Sequence, residues 1–126
     1  GCMAVAMAQI MNYHRWPKQG TGSIEYEWNN SYLDCDFTEC AYDWDNLDVA
    51  RLMSDVGLAC KMNYGANSSS AYDVDAGRAF VRYFGFDKGM EYLSGNWTYE
   101  QGAGEYQPVW IVGRDNVSNY EGFLGH

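Results

Sequence analysis

Gly1-Cys2-Met3-Ala4-Val5-Ala6-Met7-Ala8-Gln9-Ile10-Met11-Asn12-Tyr13-His14-Arg15-Trp16-Pro17 is the stretch that decides how this chain folds. From Met3 to Met11 only Gln9 is polar, and a helix that is apolar all round belongs in a protein interior. The pattern predicts a helix from about Cys2 to Tyr13, stopped by Pro17 and Gly20. Cys2 then occupies the first turn, where backbone N–H groups lack intrahelical partners and the helix dipole is positive. Such a position favours thiolate, the nucleophilic form of cysteine. The competing reading of Cys2 is a small core residue.

Working outward, Ile24, Tyr26 and Trp28 alternate with Glu25 and Glu27, which predicts a short strand ending at Asn29-Asn30. Asp45 or Asn46 is the expected N-cap of a helix over roughly Leu47–Lys61, with Val49, Leu52, Met53, Val56 and Cys60 on its apolar face. Ser70 and Asp73 have the spacing of a capping box for a third helix, about Ala71–Phe84. Val74, Phe80, Val81 and Phe84 would be its buried side and Gly85 its terminating glycine. Val109 to Val112, after Pro108, reads as a strand, and Asp115 to Gly122 as a hairpin connection towards His126.

With 126 residues the chain is one domain or part of one, and a composition 47% hydrophobic and 17% aromatic is that of a globular protein. A net charge of −9 argues against a nucleic-acid partner, which needs a positive footprint. No apolar run approaches the roughly 18 residues of a membrane span. This stretch opens directly on the cysteine helix and shows no signal-peptide pattern of its own.

The cysteines leave several readings open. With Cys2 set aside, Cys35, Cys40 and Cys60 remain as free or structural thiols, as a short-loop Cys35–Cys40 disulfide with one thiol over, or as an incomplete zinc set. The zinc reading lacks a fourth ligand, so no metal or other cofactor is expected. The acidic group Asp43, Asp45 and Asp48 fails calcium-loop spacing because Leu47 fills a ligand position.

The opening block Gly1–Met11, followed by Tyr13-His14 and Trp16-Pro17, resembles the nucleophile helix of the streptopain (C10) family of bacterial cysteine peptidases. Tyr42-Asp43-Trp44-Asp45-Asn46-Leu47, Leu52–Gly57, Met62-Asn63-Tyr64-Gly65, Ser69-Ser70-Ala71, Tyr83–Phe86 and Gln107-Pro108-Val109 resemble later family segments in the same order. The resemblance implies an α+β, papain-like peptidase fold, present here as a single partial domain over residues 1–126. The candidate nucleophile is the second residue and the candidate histidine the last. The chain is therefore expected to be an internal fragment, inactive by itself, of a secreted or surface-exposed bacterial protein made with an inhibitory prosegment.

The chemistry implied is cysteine endopeptidase action on protein or peptide substrates by a Cys2–His126 dyad, through a thioester acyl-enzyme. His126 stands near the separation of about 130–150 residues usual for papain-type Cys and His. His14 is an unsuitable partner, because twelve helical residues place it about 18 Å from Cys2. The backbone N–H of Cys2 would donate to the oxyanion. The family's glutamine donor lies upstream of the nucleophile, and Gln9, two turns along, does not replace it. The loop carrying Gly65, Ser70 and Ala71 resembles the family stretch lining the substrate cleft, implying an apolar P2 preference; ordinary turn chemistry is the other explanation. Leu124 stands where the family usually has a second glycine before Gly125-His126. A catalytically silent relative, serving as a binding or adhesion domain, is the alternative from a different functional class. An acyltransferase or isopeptidase on the same fold is a third.

Overall fold

The computed structural model describes residues 2–87. The expected strand Val109–Val112, the connection after it and His126 lie outside the described residues.

Helix α1, Cys2–His14, is the centre of the core: Met3, Ala4, Ala6, Met7, Ala8 and Met11 are buried. Met7 and Met11 are completely covered, and each contributes about 1.5–3 kcal/mol by leaving water. The expectation of burial on every side needs correcting. Cys2 and Gln9 are exposed and Val5 is 43% exposed, so residues spaced three and four apart form one open stripe. Apolar composition signals a core helix, but which side is covered depends on what packs there, and α2 and α3 approach the other faces. The helix ends before Pro17. Arg15 adopts φ 51°, its N–H donates to the Asn12 carbonyl, and the Trp16 N–H donates to that of Met11. This is a Schellman closure built on an arginine in place of glycine.

Strands β1, Ser23–Trp28, and β2, Ser31–Asp36, form an antiparallel hairpin in which Ile24 pairs with Cys35 and Tyr26 with Leu33. Only the first strand is predicted from alternation. The second follows from Asn29 and Asn30, both at positive φ (50° and 60°), the geometry of a two-residue hairpin turn. Ile24 is buried while Glu25 and Glu27 face water. A 3-10 turn, Phe37–Glu39, drives Phe37 into the core, where it stacks on Tyr83 at 4.6 Å. Gly20 runs against this turn: a Cβ there would lie 2.6 Å from the Phe37 carbonyl oxygen.

Helix α2, Val49–Ala59, is capped by Asp48, whose carboxylate accepts from the Arg51 N–H at 3.0 Å. The caps expected at Asp45 or Asn46 are incorrect. The Asp45 side chain pairs with Arg15, and its N–H donates to the Asp43 carboxylate in a preceding turn. Leu52, Val56 and Cys60 are buried as expected, with Ala59 beside them, but Val49 is 60% exposed. It ends like α1, on Lys61 at φ 54° with the Met62 N–H donating to the Gly57 carbonyl.

Helix α3, Asp73–Arg82, has Tyr72 at its N-cap and no side-chain capping hydrogen bond. The expected capping box is therefore incorrect; the Ser70 backbone instead exchanges hydrogen bonds with Asn63 in an isolated bridge. Ala76, Ala79 and Phe80 point inward with Phe84 beyond the helix end. Val74 is 58% exposed, because it lies about 200° around the helix from Ala76. Gly85, at φ 67°, turns the chain away after α3. The described part is thus two helices, α2 and α3, packed against α1 with a small antiparallel sheet, an α+β arrangement. Among the described residues no helix is long and apolar enough to cross a membrane.

Candidate active site and the interior thiols

Cys2 is the first residue of α1 and is exposed. Its location follows from the helix behind it: Met3, Met7 and Met11 lock α1 into the core and fix where the helix starts. The free N–H groups of the first turn, with the positive end of the dipole, lie at the thiol. That placement suits a nucleophile whose reaction builds negative charge on sulfur and then on a carbonyl oxygen. His14 occupies the other end of the same helix. Its ring meets Tyr13 edge-on at 5.1 Å and Phe86 at 5.9 Å, a packing role.

The segment Gly65 to Ala71 is anchored at its base. The Tyr26 hydroxyl donates to the Met62 carbonyl at 2.9 Å and the Trp28 indole N–H to the Tyr64 carbonyl at 3.0 Å. Gly65 and Ser70 are exposed and Ala71 is half-buried. Gly65 is required by its own turn, since a Cβ would collide with the Ser68 carbonyl oxygen. A polar recess of about 210 Å³ lies elsewhere, between Ser23, Glu25, Lys61, Asp75, Arg78 and Arg82; Cys2, Gly65 and Ser70 are not among its walls.

The other thiols sit in different surroundings. Cys60 is completely buried at the C-cap of α2, its Sγ 3.4 Å from the Gly57 carbonyl oxygen, and burial pushes its thiol up to about 11. Burial, with the neighbouring Cys40 and Asp55, pushes Cys35 up to about 12, and burial also raises Cys40. All four cysteines are free thiols in the structure. Cys35 and Cys40 come together with Asp55, not with Cys60 as in the zinc set weighed from sequence: the two sulfurs and a carboxylate oxygen lie within 4.8 Å of one another. Asp55 is the buried charged side chain of the described core. It accepts from the Tyr42 hydroxyl at 2.9 Å, and the Arg51 guanidinium approaches to 3.9 Å. Burial, then Asp55, raises Tyr42 well above the usual phenol range. The legible signal for this group was an aspartate on the apolar face of α2, between Leu52 and Val56. Asp43, Asp45 and Asp48 have separate local duties in a turn, an ion pair and a helix cap.

The sequence profile of the Peptidase C10 family matches residues 1–106. The chain belongs to the peptidase C10 family. This C10 chain is 27% identical over 150 residues to streptopain of Streptococcus pyogenes, covering 95% of this chain and 38% of the relative. It is 23% identical to the thiol protease/hemagglutinin PrtT of Porphyromonas gingivalis, covering 100% of this chain and 17% of that protein. Among solved structures, active interpain A cysteine protease of Prevotella intermedia superposes with a TM-score of 0.60 at 32% identity, over 68% of this chain and 43% of its own. A prointerpain A fragment gives 0.58 at 33% identity, over 68% and 34%. The fold is therefore that of the papain-like cysteine proteases. The chain spans well under half the length of the curated relatives it matches.

Proposed function

We propose that the protein is a cysteine endopeptidase in which Cys2 is the nucleophile and His126 carries the proton. The observation that supports this most is the exposed Cys2 on the first turn of a core-locked helix, in a chain of the C10 family. The Cys2 thiolate attacks the scissile carbonyl carbon, forming the C–S bond while negative charge collects on oxygen. The backbone N–H of Cys2 donates to that oxyanion. As the C–N bond breaks, the His126 imidazolium protonates the departing amine. The imidazole then takes a proton from water, which attacks the thioester and returns the thiol.

Cys2, Val5 and Gln9 share the open stripe of α1, the side from which substrate and histidine would reach the thiol. Gln9 lies about 10 Å along the helix from Cys2, too far to serve as an oxyanion donor there. Gly65, Ser70 and Ala71 are assigned to the substrate side of the cleft, with an apolar P2 side chain preferred. Their anchoring to β1 through Met62 and Tyr64 gives that loop a fixed base. Protein or peptide substrates, secretion, and a prosegment that holds the enzyme inactive complete the reading. The last is supported by the likeness to a pro-form of interpain A.

The test is to treat the processed protein with an irreversible epoxide inhibitor of papain-like enzymes and map the adduct by mass spectrometry. Modification at Cys2 alone, lost in His126→Ala, is the expected result. Equal modification of the interior thiols, or none at Cys2, would overturn the assignment and favour a catalytically silent binding domain.

A further inference from the structure

We infer that Cys35, Cys40 and Asp55 form a binding site for one thiophilic divalent cation of the zinc type, separate from the peptidase chemistry. Three pieces of chain converge there: the end of β2, the residue after the 3-10 turn and the middle of α2. Their two sulfurs and one carboxylate oxygen lie mutually within 4.8 Å. A tetrahedral ion with bonds of about 2.3 Å to sulfur and 2.0–2.2 Å to oxygen needs donors slightly closer than that, within reach of side-chain rotation.

Asp55 and Cys40 are buried, whereas Cys35 is half-buried and opens the group to solvent. That opening is the route for the ion and leaves a fourth position for water. The Tyr42 hydroxyl, donating to Asp55 Oδ2 at 2.9 Å, holds the carboxylate in place, the outer-sphere partner that ligating carboxylates usually have. Charge also balances. Two thiolates and the Asp55 carboxylate carry three negative charges, and a divalent ion with the adjacent Arg51 supplies three positive ones. On binding, two S–H bonds give way to two metal–sulfur bonds and two protons pass to water. Two thiolates select a borderline or soft ion over calcium or magnesium, which require oxygen donors. Asp36, the other nearby charge, stays at the surface, where its carboxylate accepts from Thr38.

The experiment uses intact protein carrying Cys2→Ala, so that the proposed nucleophile contributes no ligand. The protein is reduced, stripped with a chelator and titrated with Co²⁺ alone. The expected result is a tetrahedral, thiolate-bound cobalt spectrum saturating at one ion per chain, bleached by Zn²⁺, with a rise in the unfolding midpoint. Cys35→Ser should weaken binding by at least about tenfold, and Cys60→Ala should leave the spectrum unchanged. Absence of that spectrum in reduced protein whose circular dichroism is native would overturn the site. So would a spectrum that survives Cys35→Ser and Cys40→Ser. Isolation of a Cys35–Cys40 disulfide whose reduction does not restore cobalt binding would overturn it in favour of a structural bridge.

Discussion

Cys2 opens α1 and Cys60 closes α2, so the same side chain is met at the two ends of a helix. Cys2 is exposed, beside free N–H groups at the positive end of a dipole. Cys60 is fully covered, beside the Gly57 carbonyl at the negative end, with its thiol pushed up to about 11. The local backbone field and the access of water, rather than the sulfur itself, separate a candidate nucleophile from an inert core residue. Cys35 and Cys40 form a third case: their thiols are held protonated by burial and by a neighbouring carboxylate that a cation would neutralise.

The largest expected effect breaks the comparison at its reactive end. On the proposed assignment, Cys2→Ala in the processed protein should lower peptidase activity by at least about 10³-fold, the order seen when a nucleophile is removed. Cys60→Ala should leave kcat/KM within about twofold in whatever fraction folds. Measuring kcat/KM on a fluorogenic peptide separates the two, and a loss well below about 10³-fold in Cys2→Ala would end the assignment.

Next in size is the difference in alkylation rate. With thiols at about 12 and about 11, Cys35 and Cys60 hold only ~10⁻⁴ and ~10⁻³ of their population as thiolate at pH 8. Iodoacetamide should therefore modify Cys2 first in the native protein. The interior rates should rise about tenfold per pH unit between pH 8 and 10, and all four sites should equalise in denaturant. Quantitative peptide mapping reads this directly.

The same shifts carry a sign for stability. Cys60, Cys35 and Tyr26, the last pushed up to about 12 by burial, bind their protons more tightly folded than unfolded. Their contribution is complete below the unfolded values and is lost as pH rises towards 11–12. The thermal midpoint should accordingly fall between pH 9 and 11, and fall less steeply in Cys60→Ala. A flat profile would show that the thiol is not buried in solution.

Much of this arrangement was legible in the chain and some was not, for physical reasons. The run Met3–Met11 could only be a core helix, and the position of Cys2 at its start followed. Ile24-Glu25-Tyr26-Glu27-Trp28 gave β1 by alternation. β2 escaped because its alternation, Leu33 and Cys35 against Asp34 and Asp36, is short and only half-buried, and its clearer signal was the Asn29-Asn30 turn. The helix stops at Arg15 and Lys61 were hidden because non-glycine residues adopt the left-handed region there. Val74 was placed inside by type alone, although helical angle puts it outside; Val49 shares the face of Leu52 and Val56 but is the first residue of α2 and stays exposed. The Cys35–Cys40–Asp55 group joins chain segments up to twenty residues apart, which no local spacing announces.

Tyr42→Phe sharpens the comparison from the interior side. The hydroxyl is the donor to a buried carboxylate at 2.9 Å. Its removal takes one donor from Asp55, a loss of about 1–3 kcal/mol in denaturant unfolding at pH 7. A loss much below that would mean that water reaches Asp55.

The smallest expected effect belongs to Cys35→Ser in metal-free protein. Cys35 is half-buried on a solvent-edged strand, and a hydroxyl there can turn to water, so the cost should stay within about 0.5 kcal/mol. Cys40, by contrast, is 4% exposed with its Sγ directed at the Asp36 carbonyl at 3.7 Å, and Cys40→Ser must confine its hydroxyl there. The useful quantity is the difference between the two unfolding free energies, measured first with chelator and then with Zn²⁺. If both variants match the parent in chelator but lose the zinc-dependent increment, the thiols serve a ligand rather than the core. If Cys35→Ser already costs as much as Cys40→Ser without metal, the two sulfurs act as packing, and the division among the four thiols reduces to Cys2 against the rest.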